Sequence, residues 1–186
     1  MPGPDARPGA GPDVAAVVAG LAAAGLTVAV AESLTAGQVS AALADVPGAS
    51  AVLRGGVVAY ATDLKAAVLG VDAGLLAEHG PVHPEVAAQM ARGARRVLGA
   101  SVGLATTGVA GPEPQGGQPV GTVFVALSWG DAVPDETGPH VNVEGLERVV
   151  ALSLTGDRAA VRRSSTAAAL SLLADLARER CGPAAS

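Results

Sequence analysis

The stretch Thr27–Gly37, TVAVAESLTAG, changes its period midway, and that change decides the fold. Thr27 to Ala31 is a run of β-branched and small residues behind Gly25, which suits a strand covered on both faces. From Thr35 the apolar residues recur at Val39, Ala42, Leu43 and Val46, which is helical spacing, and Pro47-Gly48 ends the run. Ser33 therefore stands where a strand hands over to a helix. Ligands of open α/β sheets bind along this edge, and the free N–H groups of a helix start can hold an anion or a developing oxyanion. On this stretch alone, a capping role for Ser33 or Thr35 is the simpler reading.

Working outward, Asp13–Ala24 reads as a helix stopped by Gly25, and Met1–Pro12, with four prolines and three glycines, reads as a disordered leader. Ala51–Ala61 is an expected strand with a bulge or close approach at Gly55-Gly56, closed by Tyr60. A short helix over Asp63–Leu69 carries Lys65, a further turn covers Leu75–His79, and Pro84 opens a helix over Glu85–Leu98. Ser101–Thr107 is a strand that opens into the loop Gly108–Pro119, and Val120–Trp129 is the clearest strand of the chain. Two more strands, near His140–Glu144 and Glu147–Leu154, are expected to pair as a hairpin about Gly145. A last helix runs from Asp157 to about Arg180, before a fraying tail of residues 181–186. Helices alternating with strands early and strands gathered late predict one α/β domain over residues 13–180, a three-layer α/β/α sandwich on a mixed, mostly parallel sheet.

Composition removes several classes of function. The 186 residues are 49% hydrophobic, enough for one full-sized core. A net charge of −5, with no basic run longer than Arg95-Arg96 or Arg162-Arg163, argues against nucleic acid as a partner. The uncharged run Val14–Ala31 is near the lower limit for a membrane span, but glycines and Thr27 interrupt it and it holds only two leucines. A signal peptide is disfavoured too, because the leading segment lacks a positive n-region and carries Asp5 and Asp13. A soluble, cytoplasmic chain is expected, with a homodimer as its assembly. The single cysteine, Cys181, allows neither an intramolecular disulfide nor a cysteine metal site. His79, His83 and His140 are scattered, and Gly80-Pro81 keeps the first two off one helical face, so neither a metal nor another cofactor is expected.

Rarity points to the chemistry. Of the 12 basic residues, 11 are arginine and one is Lys65; Tyr60 is the only tyrosine and stands five residues before it. Arginine stays charged under ordinary conditions, whereas a lysine can be tuned to give and take a proton. Ser33 with Lys65 then makes a nucleophile and base, provided burial lowers the lysine pKa; Tyr60 is placed to relay a proton or position substrate. No G-x-S-x-G elbow surrounds Ser33. The loop Thr107–Gly111, TGVAG, lets backbone N–H groups approach an anion, and a plain glycine turn explains it as well. Arg158 and Arg162, one helical turn apart, can hold phosphate or form a solvated face.

Six blocks, AESLTAG at 31–37, GGVVAYATDLK at 55–65, HGPV at 79–82, TGVAGP at 107–112, PVGTVFVAL at 119–127 and GDRAAVR at 156–162, occur in the order and spacing of one family. From about Leu21 to Leu173 the chain resembles the CinA C-terminal domain family, the nicotinamide-nucleotide amidohydrolases. The resemblance implies a metal-free hydrolase that converts nicotinamide mononucleotide to nicotinate mononucleotide and ammonia, with Ser33 as nucleophile, Lys65 as base and Tyr60 assisting. The small-molecule nucleotide would be held by Glu32, Thr35, Gly37, Thr107, Gly108, Ala110, Gly111, Arg158 and Arg162, with backbone N–H groups near Thr35–Gly37 serving the oxyanion. The family often carries a nucleotide-pyrophosphatase-like domain ahead of this one, so the stand-alone form is expected here. Against the family's usual E-S-C-T-G-G the chain has Leu34 for the cysteine and Ala36 for a glycine. Tyr60-Ala61-Thr62 replaces Y-S-N, and the loop after Gly111-Pro112 is about two residues longer. A catalytically inactive nucleotide-binding or interaction module of the same fold is the alternative.

Overall fold

In the computed structural model, which describes residues 11–130, 133–134, 141–142 and 146–181, five strands form one sheet in the order β2-β1-β3-β4-β7. These are β1 (Val28–Glu32), β2 (Leu53–Val58), β3 (Val102–Gly108), β4 (Thr122–Trp129) and β7 (Leu146–Ser153). β1 pairs in parallel with β2 and β3, β3 pairs antiparallel with β4, and β4 antiparallel with β7. Four of the five strands thus point one way and only β4 is reversed: the sheet is mixed and mostly parallel. Among the described residues there are six helices: α1 (Val14–Ala23), α2 (Gln38–Ala44), α3 (Thr62–Leu69), α4 (Ala73–His79), α5 (Pro84–Leu98) and α6 (Arg158–Cys181).

Side-chain alternation along the central strands sorts the helices into two layers. Val28 and Val30 of β1, with Val102 and Leu104 of β3, face one core that α1, α2 and α6 close with Leu21, Leu43 and Leu173. The opposite face is built from Ala29, Ala31, Ala105 and Ala126, and α5 lies on it through Ala87, Met90, Ala91 and Ala94. Its small side chains let α5 seat almost on the strands themselves. A Cβ at Gly103 would stand 2.0 Å from the Ala91 carbonyl oxygen, and one at Gly93 of α5 would stand 2.0 Å from that of Leu69. The three-layer sandwich expected from the sequence is the one observed.

Local chemistry sets the boundaries. Asp13 caps α1 by accepting from the N–H groups of Ala15 and Ala16 at 3.0 and 3.3 Å. Pro84 occupies the first turn of α5, His83 Nδ1 accepts from the Glu85 N–H, and Gly99, at φ 61°, ends the helix. The register of β1 on β2 slips between Val28 and Ala29, where Arg54 is left unpaired before Gly55, so the expected bulge lies at this step. Ala51 belongs to a 3₁₀ turn and not to the strand, which ends at Val58, before Tyr60. Helix α2 begins at Gln38 rather than near Thr35, because Ala36 and Gly37 take left-handed φ values of 49° and 95°.

The turn of the hairpin expected about Gly145, and most of its first strand near His140–Glu144, lie outside the described residues. β7 pairs along its whole length with β4, while the two-residue strand β6 (Val141–Asn142) pairs with β5 (Val133–Pro134). Without β7, β4 would expose the outer edge of a strand that is mostly buried, and pairing satisfies those backbone groups. Residues 1–10, 131–132, 135–140, 143–145 and 182–186 lie outside the described residues, and so do most of the expected leader and the tail. Among the described residues no helix is long and apolar enough to cross a membrane.

Candidate active site

The parallel register brings three strand ends together. Glu32, the last residue of β1, lies between Val58 of β2 and Thr106 of β3, so Ser33, Tyr60 and the loop after Gly108 leave the sheet along one edge. They line a cavity of about 100 Å³ with Lys65, Thr107, Ala110, Gly111 and Arg158. Leu34, Pro81, Val82, Val109 and Gln115 complete its wall.

Lys65 projects from α3 into this corner and is 1% exposed. Its Nζ lies 3.2 Å from Ser33 Oγ, 2.8 Å from the Ala59 carbonyl oxygen and 3.5 Å from that of Tyr60. Burial penalises the ammonium and, against a smaller opposing pull from Asp63, lowers the lysine pKa from 10.5 to about 8. Three acceptors suit the ammonium, and two carbonyls plus a hydroxyl suit the amine, whose lone pair then meets Ser33 Oγ–H. The site can therefore take up and return a proton without rebuilding its hydrogen bonds.

Tyr60 lines the cavity, as expected of a residue that positions substrate, but not through a hydroxyl beside the Ser33–Lys65 pair. Its side chain is exposed, and its hydroxyl is bound to Arg158 Nη2 at 2.5 Å; among the described residues its hydroxyl makes no hydrogen bond to Ser33 or Lys65. Arg158 Nη1 donates to the Gly111 carbonyl at 2.6 Å, so Tyr60, Arg158 and Gly111 form a bridge at the rim of the cavity. Thr107 is buried and donates to the Pro81 carbonyl at 2.7 Å, which ties β3 to the segment before α5.

Four of the residues expected to hold substrate do not line the cavity: Glu32, Thr35, Gly37 and Arg162 build the wall behind it. The Glu32 carboxylate is fully buried and accepts from the N–H groups of Gly37, Val39 and Ser40 at 2.8, 3.1 and 2.8 Å, and from Ser40 Oγ at 2.7 Å. It is the internal cap of α2. The N–H of Ala36 is likewise taken, by the Ser33 carbonyl at 3.1 Å. The expectation that N–H groups as far as Gly37 serve an oxyanion is thus corrected: the amides of Ala36 and Gly37 are already committed to this turn. Thr35 Oγ1 pairs with Thr106 Oγ1 at 2.8 Å in the interior. Arg162 donates to the carbonyls of Leu34 and Thr35, both at 2.9 Å, and not toward the cavity.

Pro81, Val82 and Gln115 were not among the expected site residues. HGPV at 79–82 carried a signal as one of the six blocks, but only the tertiary pairing of Thr107 with Pro81 shows which cavity that segment borders. Nothing local to Gln115 marks it; it arrives through a tight turn whose backbone pairs with Gln118.

Residues 13–177 match the family model of the CinA C-terminal domain. A CinA-like protein from Frankia casuarinae is 50% identical over 147 residues, 79% of this chain and 31% of its own length. A putative competence-damage inducible protein from Desulforamulus reducens is 57% identical over 105 residues, 56% of this chain and 26% of its own. The chain thus spans about a third or less of these relatives. Among solved structures, a competence-damaged protein (CinA) superfamily protein from Klebsiella pneumoniae superposes with TM-score 0.77 at 30% identity, covering 88% of this chain and 94% of that one. One from Escherichia coli gives 0.77 at 29% identity, covering 88% and 87%. With the family model matched across nearly the whole folded part and the same fold in these structures, the chain belongs to the CinA C-terminal domain family.

Proposed function

We propose that the chain is an amidohydrolase that removes ammonia from the carboxamide of nicotinamide mononucleotide through a serine acyl-enzyme. The observation that carries this reading is the buried Lys65 Nζ, 3.2 Å from Ser33 Oγ, with its pKa lowered to about 8. Serine is a poor nucleophile until a base removes its proton, and an amine of ordinary pKa is protonated at neutral pH and cannot do so.

The neutral Lys65 amine accepts the Ser33 proton as Oγ adds to the carboxamide carbon. The resulting ammonium then donates to the amide nitrogen, the C–N bond breaks, ammonia leaves and an acyl-serine remains. Lys65, neutral again, takes a proton from water; hydroxide adds to the ester carbonyl, and Ser33 departs with the proton returned by Lys65. Backbone donors for the oxyanion are assigned to Leu34 and Ala110, which line the cavity and whose N–H groups bond to no carbonyl among the described residues. Arg158, whose hydrogen-bond partners among the described residues are the Gly111 carbonyl and the Tyr60 hydroxyl, supplies the charge for the nucleotide phosphate at the rim. A cavity of about 100 Å³ fits the nicotinamide end and leaves ribose and phosphate outside.

The test is to mix the protein with nicotinamide mononucleotide and follow ammonia, with Lys65→Arg and Ser33→Ala beside the parent chain. Turnover that both substitutions abolish is expected. Ammonia release that Lys65→Arg leaves intact removes lysine from the mechanism, and tight nucleotide binding without ammonia makes the chain a binding module.

A further inference from the structure

Arg162 reaches from α6 to the turn that carries Ser33, and among the described residues it forms no ion pair. Its Nε donates to the Leu34 carbonyl and its Nη2 to the Thr35 carbonyl, each at 2.9 Å. The same turn is held from the other side by Glu32, whose carboxylate takes the N–H groups of Gly37, Val39 and Ser40. Ser33 itself is fixed by its N–H to the Thr106 carbonyl at 3.0 Å and by its own carbonyl to the Ala36 N–H. A fork of two N–H groups on consecutive carbonyls allows one arrangement of the Leu34 and Thr35 peptides and disfavours rotation of either.

We infer that Arg162 is a positioning residue, one jaw of a clamp with Glu32 that holds Ser33 Oγ against Lys65 Nζ, and that it does not bind the substrate phosphate. This rests on the serine and lysine reading above. Each peptide whose carbonyl Arg162 grips turns its N–H the opposite way, so the fork also sets where the amide of Thr35 points. A nucleophile held 3.2 Å from its base tolerates little misplacement, because a shift of about 1 Å can cost about 100-fold in rate.

The clamp is tested with Arg162→Gln, Arg162→Lys and, as control, Arg163→Gln at the exposed neighbouring position. Each is assayed for kcat and KM on nicotinamide mononucleotide and for the rate at which a small uncharged sulfonyl fluoride labels Ser33. The expected result for Arg162→Gln is kcat and labelling lowered together by about 10- to 100-fold with KM within a factor of three. Arg162→Lys should recover part of the loss, since a single ammonium reaches one carbonyl well and two poorly, while Arg163→Gln matches the parent. A raised KM with labelling unchanged would make Arg162 a phosphate ligand and overturn the inference. Equal loss in both Arg162 variants, tracking a lowered melting temperature, would make it a structural prop and overturn it as well. Failure of the parent chain to be labelled at Ser33 would instead sink the serine and lysine reading, so the two failures are distinguishable.

Discussion

The Lys65 amine should report its ionisation twice, in rate and in stability, and the two must agree. With a pKa of about 8 instead of 10.5, roughly one amine in ten is neutral at pH 7, against about one in 3,000 for an ordinary lysine. Burial therefore raises the competent fraction about 300-fold. If Lys65 is the base, kcat/KM for ammonia release climbs about tenfold per pH unit below 8 and levels above it. Stability changes with the same group. Between about pH 8 and 10.5 the unfolded chain holds the Lys65 proton while the folded chain has released it, so unfolding free energy rises with pH across that window. Below pH 8 the full penalty of the buried ammonium is present. From pH 7 to pH 10 the gain from this one residue is about 2–3 kcal/mol, read as the difference between the parent and Lys65→Met in urea titrations at both pH values. A rate profile rising through pH 10 without levelling, together with parent and Lys65→Met curves of equal slope, would refute a neutral amine beside Ser33.

Other substitutions follow from single contacts. Glu32→Gln places an amide N–H₂ among backbone donors and should cost about 2–4 kcal/mol in chemical denaturation; a loss within experimental error would mean that the cap of α2 is dispensable. Gly93→Ala drives a methyl to 2.0 Å from the Leu69 carbonyl and should destabilise by about 3 kcal/mol or more, whereas an unchanged melting temperature would show that α5 has room to lift. Arg158→Gln should raise KM for nicotinamide mononucleotide by about 10- to 100-fold with a small effect on kcat, and should leave KM for the phosphate-free riboside nearly unchanged. If both substrates suffer alike, Arg158 acts through the loop and not on the phosphate.

Much of the architecture was legible because the strand and helix periods are clean. The unbroken burial of Val28–Glu32 follows from a run without a charged residue before its last position, and the helix starts carry their signals in Asp13, Pro84 and Asp157. Lys65 was legible by its rarity, which says nothing of distance but names the residue. What could not be read were roles that depend on direction. Glu32 sits beside the nucleophile in sequence, which suggests a site residue, yet alternation on the strand turns its carboxylate back under α2. Arg162 follows Arg158 by one helical turn, so both were expected to face the substrate. The helix places one at the rim and the other over the turn, a difference set by which carbonyls lie within reach. The pairing of β7 with β4 was not legible for a related reason: proximity in sequence points to a neighbouring strand, whereas the outer edge of β4, mostly buried along its length, is what β7 covers.

The carboxylate under α2 has a further consequence. In many sheets of this kind, the first turn of the helix after the leading strand is left vacant for a ligand's phosphate, and its amides are satisfied only on loading. Here the chain furnishes its own carboxylate from the adjoining residue, so that berth is filled without a ligand. The turn that carries Ser33 is therefore already formed with the cavity empty, and on the proposed reading substrate binding energy is not needed to order it.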